Sequence, residues 1–371
     1  MQLDRSLLFS MFALLAMGLV FVASASMPLA LHQGHSGFYY FDKQLAFAIL
    51  SLLAIGIIIF IPTEIYAKHR WAWLVIGGVL LLLVLVPGIG STVNGSRRWI
   101  HFGPIALQVS EIVKLCVVMY VSGYLVEHTI AVRETISGVL KPLGILLVFG
   151  VLLLLEPDFG ATVVVFSTTL GMMFMARIPV RWFVLLILAG VIASGFLVFL
   201  SPYRLARLTG FLHPWASQYD TGYQLTQSLI AFGRGGFFGV GLGESLQKWF
   251  YLPEAHTDFI LAIIGEELGL IGTVFILGLY MVLIWRGLQI ARTAHLNHQL
   301  YDAYLAYGIS FWMGLQMVVN FGVNLGLLPT KGLTLPLISY GGSSLLVDMA
   351  ALGILLRVDL QNKFRAKHEE K

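Results

Sequence analysis

Long apolar runs dominate the chain, and polar positions gather in the gaps between them. Runs near the ~20 residues that cross hydrocarbon as a helix lie at about 7–27, 44–62, 71–88, 105–125, 143–156, 160–177, 181–200, 259–286, 303–328 and 336–356. The short alternating segments of an outer-membrane barrel are absent. The pattern predicts an all-α polytopic membrane protein of about ten transmembrane helices. "EPDFG" (156–160) interrupts one apolar stretch, either as a tight turn between two helices or as an irregular feature inside the bundle.

Most connections are short, but about 58 residues (201–258) separate the seventh and eighth runs. Long ordered loops of this kind often carry function. This one mixes Tyr, Trp, Phe and Leu with scattered charge, which suits short amphipathic helices folded back on the membrane. Two further connections on the same side, "GIGSTVNGSRRWIHFG" (88–103) and "LLPTKGLTLPLISYGGSS" (327–344), are rich in Gly and polar residues. No repeat and no soluble domain is evident, so 1–371 reads as one membrane domain. The segment 358–371 reads as a short charged cytoplasmic tail, solvated and weakly attracted to anionic lipid.

Composition agrees: 58% of residues are hydrophobic and the mean hydropathy is +0.86, against the roughly 45–50% apolar content of soluble domains. Charge then sets orientation, because retained cytoplasmic loops are enriched in Lys and Arg. With ten spans, 14 of the 23 Lys and Arg fall on the side of both termini and eight on the other, with Lys114 inside a span. Both termini are expected in the cytoplasm, and 201–258 is expected to be a large extracytoplasmic loop between helices 7 and 8. The net charge of +4 reflects topology and carries no suggestion of nucleic acid. The first run lacks the small-residue cleavage site of a signal peptide and is expected to stay as a helix. Cys116 is the only cysteine, which excludes an internal disulfide and a thiolate metal site.

Several charged positions could carry chemistry. The outer side holds Arg97, Arg98, Arg204, Arg207, Arg234, Lys248 and Lys331, opposed by Glu244, Glu254 and Asp258. A cationic surplus over an apolar bundle suits an anionic, lipid-linked ligand, although any one loop cation is explained as well by lipid headgroups. Lys114 shares a helical face with Ser110 and Glu111. A cation within a span faces a partner or a wet cavity, so a structural Glu111–Lys114 pair and a ligand role both remain open. "FGRGGFFGVGLGES" (232–245) fits neither the Walker pattern nor a dinucleotide fingerprint; its glycines suit tight turns, with Arg234 as its one anion-gripping residue.

"YLPEAHTDFI" (251–260) concentrates charge just before an apolar run. Asp258 is read first as a helix cap. A metal site at His256 lacks a second His or Cys at ligand spacing. The third reading is a general base, a carboxylate taking a proton from an attacking sugar hydroxyl. "GEELG" (265–269) puts Glu266 and Glu267 inside the eighth run, where they are expected to pair with buried donors or to position the loop before them.

"GSRRWI" (95–100), "SEIVK" (110–114), "EPDFGAT" (156–162), "YQLTQSLIAFGRGG" (223–236), "LPEAHTDFI" (252–260), "GEELG" (265–269) and "LPTKGLTLPLISYGGSS" (328–344) together resemble the motifs of the SEDS family (shape, elongation, division, sporulation). The chain resembles the division member more than the elongation member, through "PEAHTDFI" and the lysine of "LPTKGLTLP". Val109 departs from the pattern, since proline commonly precedes "SE" there. The resemblance implies a ten-helix fold and an inverting peptidoglycan glycosyltransferase that polymerises lipid II into β-1,4 glycan at the division septum, releasing undecaprenyl pyrophosphate. A lipid II flippase or an elongation-type polymerase is the alternative. It also implies Asp258 as the catalytic residue and places Arg98, Trp99, Lys114, Arg234, Glu254, His256, Thr257 and Lys331 at substrate-binding positions. Ser110, Glu111, Glu266 and Glu267 are supporting positions. A divalent cation (Mg or Mn) is a further expectation. The implied partners are lipid II and undecaprenyl-linked glycan, a class B penicillin-binding protein (the FtsI-like septal transpeptidase) and small bitopic division proteins (FtsQ-, FtsL- and FtsB-like). The implied location is the bacterial inner membrane at the septum.

Overall fold

The computed structural model describes residues 3–93, 95–103, 105–330 and 332–369. In chain order these form α1 (Arg5–His32), α2 (Tyr39–Ile58), α3 (Thr63–Lys68), α4 (Arg70–Leu85), β1 (Gly90–Val93), β2 (Ser96–Phe102), β3 (Ile105–Gln108), α5 (Val109–Glu127), α6 (Thr129–Glu134), α7 (Ile136–Leu155), α8 (Phe159–Met175), α9 (Val180–Phe199), α10 (Pro202–Leu212), α11 (Tyr223–Gly235), α12 (Ile260–Leu296), α13 (Leu300–Asn324) and α14 (Gly342–Glu369). Each of the ten apolar runs overlaps one of α1, α2, α4, α5, α7, α8, α9, α12, α13 and α14, with 105–108 in β3 and 336–341 ahead of α14. Six of these (α1, α2, α5, α7, α9 and α12) are long and apolar enough to cross a membrane, and α4 and α8 are shorter apolar helices. The chain is thus a multi-pass α-helical membrane protein.

Local chemistry sets the helix ends. Asp4 caps α1 by accepting from the Leu7 N–H at 2.9 Å, Thr135 caps α7 through Gly138 at 3.2 Å, and Asp158 caps α8 through Ala161 at 3.0 Å. Each satisfies an N–H that the first helical turn leaves without a partner. "EPDFG" is therefore a tight turn, and α5 begins at Val109 without the family's proline.

Helices α5, α13 and the start of α12 form the centre, with Trp312, Tyr120, Tyr280 and Tyr304 fully enclosed. By contrast, α9 has no buried residue and presents apolar side chains all round, as a lipid-facing helix does. The loop 88–103 forms most of a three-stranded antiparallel sheet, β1-β2-β3, that the apolar pattern does not announce. The long loop carries α10 and α11, the expected short helices. The segment from 358 onward continues α14, and Val358 to Asn362 are buried, so its first residues belong to the bundle rather than to a solvated tail.

In α12 the helix breaks at Gly269 (φ 68°). There the loop crosses it: Val240 and Gly241 donate to the Glu266 and Glu267 carbonyls at 3.0 and 3.1 Å, and Leu270 donates to the Gly236 carbonyl at 2.9 Å. Gly239 (φ 80°) sits against the Glu267 carbonyl, where a side chain would collide. Glycine at both crossing points lets two backbones meet.

Candidate active site at the start of the eighth long helix

Asp258 lies in the turn that leads into α12. The N-cap position is taken by Phe259, and no side chain caps the helix, so the capping reading of Asp258 fails. Its main chain is gripped instead from α13. The Asn320 side-chain amide donates to the Asp258 carbonyl at 2.9 Å and to the Leu333 carbonyl at 2.8 Å. One turn on, the Asn324 amide donates to the same Asp258 carbonyl at 3.1 Å while its oxygen accepts from the Ala262 N–H at 3.2 Å. Both asparagines are buried. They join the 250s turn, the first turn of α12 and the 330s segment into one unit.

The Asp258 side chain is left available. It is half-buried, and its carboxylate accepts no hydrogen bond from a described residue. Gly332 lies across from it, close enough that a Cβ there would be 2.7 Å from Oδ2. Burial, reinforced by the Glu254 carboxylate, pushes the Asp258 carboxyl up to about 7 against the opposing pull of Arg207 and Arg98, with Asp158 adding to the rise. A carboxylate poised near neutrality is suited to general-base work.

The two arginines arrive from distant elements. Arg98 on β2 donates to the carbonyls of Glu156 (3.2 Å) and Pro157 (2.7 Å) and to Ser96 Oγ (3.1 Å), with its Nε 3.9 Å from Asp158 Oδ2. The sheet is thereby pinned to the cap of α8. The Nε and NH2 groups of Arg98 are engaged in this way. Arg207 on α10 donates to the Thr330 carbonyl at 3.3 Å. Trp99 is on the same strand, paired with Ser91 and Gln108.

Around Asp258, the Thr257 hydroxyl donates to Glu254 Oε2 at 2.6 Å, and Glu254 occupies a left-handed turn (φ 56°). The Thr257 carbonyl accepts from Ser339 Oγ at 2.6 Å. His256 sits among Tyr40 and Tyr340, with ring centroids at 5.3 and 5.5 Å. Burial holds its imidazole below the usual histidine range, more than Glu254 restores it, so it is neutral at pH 7. Lys331 falls outside the described residues.

The remaining predicted residues lie elsewhere. Lys114 pairs with Glu111 at 2.7 Å and lies 5.0 Å from the Trp312 ring centroid, inside the bundle. Ser110 accepts from Gln108 at 3.2 Å. Arg234 pairs with fully buried Glu266 at 2.6 Å, which also accepts from Ser245 and from the Leu246 and Gln247 N–H groups. Glu267 pairs with Lys248 at 2.9 Å and accepts from Ser24 at 2.7 Å. Among the described residues no three of His, Cys, Asp and Glu come together as metal ligands. No step below runs through a divalent cation.

Sequence reasoning missed Asn320, Asn324 and Asp158. Two amides four residues apart in an apolar run are a legible signal, because polar groups in a span need a task. Asp158 was visible only as part of a motif.

A bundle of membrane helices with a titratable carboxylate at one rim, overlooked by arginines from a sheet and a loop helix, defines a polytopic α-helical membrane protein. The chain belongs to the FtsW–RodA–SpoVE family, described as cell cycle proteins, whose profile matches residues 5–364. It is 50% identical over 363 residues to the probable peptidoglycan glycosyltransferase FtsW of Legionella pneumophila, covering 98% of this chain and 92% of the relative. It is 51% identical to that of Coxiella burnetii, covering 93% of each. A chain in a solved peptidoglycan synthase complex, in which polymerization and crosslinking are coordinated, superposes with a TM-score of 0.80 at 29% identity, covering 98% of this chain and 99% of that one. The rod-shape-determining protein RodA of Thermus thermophilus gives 0.72 at 28% identity, covering 98% of each.

Proposed function

We propose that the protein is a peptidoglycan glycosyltransferase of the division type, acting on the outer face of the bacterial inner membrane at the septum. It polymerises lipid II into β-1,4 glycan and releases undecaprenyl pyrophosphate. The relatives' names support the activity. The observation that carries the assignment to a residue is Asp258: a carboxylate without a described hydrogen-bond donor, titrating near 7, fixed through its backbone by two buried asparagines.

Asp258 removes the proton from the 4-hydroxyl of the acceptor sugar. That oxygen attacks the anomeric carbon of the donor strand from the face opposite the pyrophosphate, and the new C–O bond forms as the old one breaks. The leaving pyrophosphate takes the bonding electrons, and cations aimed at it lower the barrier. Arg207 and Arg98 are the described cations that act on Asp258, and Lys331, outside the described residues, is proposed to join them on the family resemblance. Glu254 and Thr257 hold the turn that presents the base.

A class B penicillin-binding protein is the proposed partner, on the likeness to the chain in a synthase complex; the small bitopic division proteins are proposed on the family resemblance. The test is polymerisation of lipid II by the purified protein with its transpeptidase. Asp258→Asn is expected to abolish glycan products while leaving the complex intact, and substantial residual polymer from the variant removes the base assignment.

A further inference from the structure

The end of the bundle opposite Asp258 gathers cations from three separate connections. Helix α12 runs 37 residues, about 55 Å of helix path, from the catalytic turn to His295 and His298. Arg133, at the end of α6, donates from Nε to the Ala176 carbonyl at 3.1 Å, next to Arg177. Arg133, Arg177 and His298 all act electrostatically on His295, and no acid is among the groups that do. Arg133 and Arg177 also face the Tyr304 hydroxyl, and Arg292 faces Tyr307 one turn further along α13.

Helix capping explains part of this, since cations are favourable near helix C-termini. Two observations exceed it. Arg177 (φ 66°) and His298 (φ 58°) each occupy the left-handed position just past the C-cap of a helix, α8 and α12, closed by the Ile178-to-Met173 and Gln299-to-Ala294 hydrogen bonds. Glycine is the residue such ends favour, so a basic side chain there carries a conformational cost that capping does not require. Beneath the cations, the fully buried Tyr304 turns its hydroxyl to the Arg133 side chain, and His295 Nδ1 is buried with no hydrogen-bond partner among the described residues. Exposed Arg133, Arg177 and His298 thus stand over a buried imidazole nitrogen that has no partner among the described residues. On the adjoining α8 and α9, the Phe174 and Phe183 rings meet at a tilt with centroids 4.8 Å apart, an apolar wall beside the cations.

We infer that Arg133, Arg177, His295, His298 and Tyr304 form a binding site for the phosphate headgroup of an anionic phospholipid on the membrane face opposite the catalytic turn. Guanidinium N–H groups of Arg133 and Arg177 donate to phosphate oxygens, Tyr304 backs Arg133 from below, and the acyl chains lie along Phe174 and Phe183. Basic clusters between membrane helices recognise lipid phosphates in this manner.

Native mass spectrometry of the full-length protein, titrated with diphosphatidylglycerol, phosphatidylglycerol, phosphatidylcholine or inorganic phosphate, tests the assignment. Anionic lipid is expected to be retained in preference to phosphatidylcholine. Replacing both arginines (R133Q with R177Q) weakens that retention about 30-fold, about fivefold for each cation removed, whereas R5Q with K68Q, an equal loss of charge elsewhere, leaves it unchanged. Arg177→Gly keeps the left-handed backbone comfortable, so it preserves the fold while still costing about fivefold in lipid. Unchanged retention in the double variant, equal retention of phosphatidylcholine, or displacement of the lipid by inorganic phosphate at similar concentration overturns the proposal.

Discussion

Asn320 reaches across from α13 and hydrogen-bonds the Asp258 carbonyl at 2.9 Å while its second N–H holds the Leu333 carbonyl at 2.8 Å. One buried amide therefore sets the distance between the turn bearing the base and the segment facing it. Removing it as Asn320→Ala leaves the Leu333 carbonyl without this donor, at about 1–3 kcal/mol, leaves the Asp258 carbonyl to Asn324 alone, and lets the turn drift. We expect a lower melting temperature and, for a displacement of about 1 Å, on the order of a 100-fold fall in kcat for lipid II polymerisation. KM should change little, because the anion-facing arginines are untouched. Asn320→Asp supplies an acceptor where donors are needed and should not rescue. A variant that loses stability but keeps kcat would show that the clamp does not position the base.

The pH behaviour of Asp258 runs in opposite directions for activity and stability. A general base must be ionised, so polymerisation should rise as pH passes through about 7. The folded carboxyl titrates above the ordinary aspartate value of 3.8, so its favourable contribution to folding is complete below that value and is lost as pH rises through about 7. Asp258→Asn should thus melt higher than the wild type at pH 8, with the gap narrowing toward pH 5, while remaining inactive throughout. Thermal melts of both proteins in one detergent across that range check it; a constant gap is the contrary result.

The helices were legible because a membrane span is a one-dimensional pattern: about 20 apolar residues in a row need no knowledge of neighbours. The sheet at 90–108 was not, since its strands of four to seven residues mix polar and apolar positions, gain their pairing only by folding back on each other, and include Ile105–Gln108, which the apolar run 105–125 absorbs. The α14 extension was misread for a related reason. Its charges looked solvated, yet Asp359 pairs with Lys363 at 2.6 Å and also accepts from the Asp4 N–H at 3.1 Å, a contact 355 residues away in sequence. At the site, charge in an apolar context marked Asp258, and the motif marked Arg98. What surrounds them is tertiary: Asp158 and Arg207 approach Asp258 from positions 100 and 51 residues distant, which no local pattern encodes.

Arg98 offers a test of geometry against charge. Its planar fork grips the Glu156 and Pro157 carbonyls and Ser96 together, a set that the single ammonium of lysine cannot span. Arg98→Lys retains the positive field on Asp258 but frees the sheet from the cap of α8. We expect the pH midpoint of activity to stay near 7 while kcat falls about tenfold or more through lost positioning. Arg98→Gln should in addition move the midpoint upward, because the cation that lowers the Asp258 pKa is gone. If both variants shift the midpoint equally, the field at Asp258 does not come from Arg98.

Arg234 and Glu266 separate a substrate-binding role from a structural one. Glu266 is fully buried, and besides Arg234 it accepts from Ser245 and two backbone N–H groups of the 245–247 turn; Arg234 is about one-third exposed. Removing the carboxylate as Glu266→Ala strands those donors and the arginine together, a loss of about 3–5 kcal/mol for a broken buried pair. It should release the long loop from α12, seen as new protease cleavage between 236 and 258. Arg234→Ala leaves Glu266 its three other donors, so it should be milder, about 1–3 kcal/mol, with KM for lipid II unchanged if the arginine serves only the loop. Arg234 grips pyrophosphate as well if KM rises severalfold in a variant whose loop resists protease as the wild type does. Gly239→Ala provides the control: at φ 80° against the Glu267 carbonyl a methyl group has no room, so it should reproduce the Glu266→Ala cleavage pattern without altering any charge.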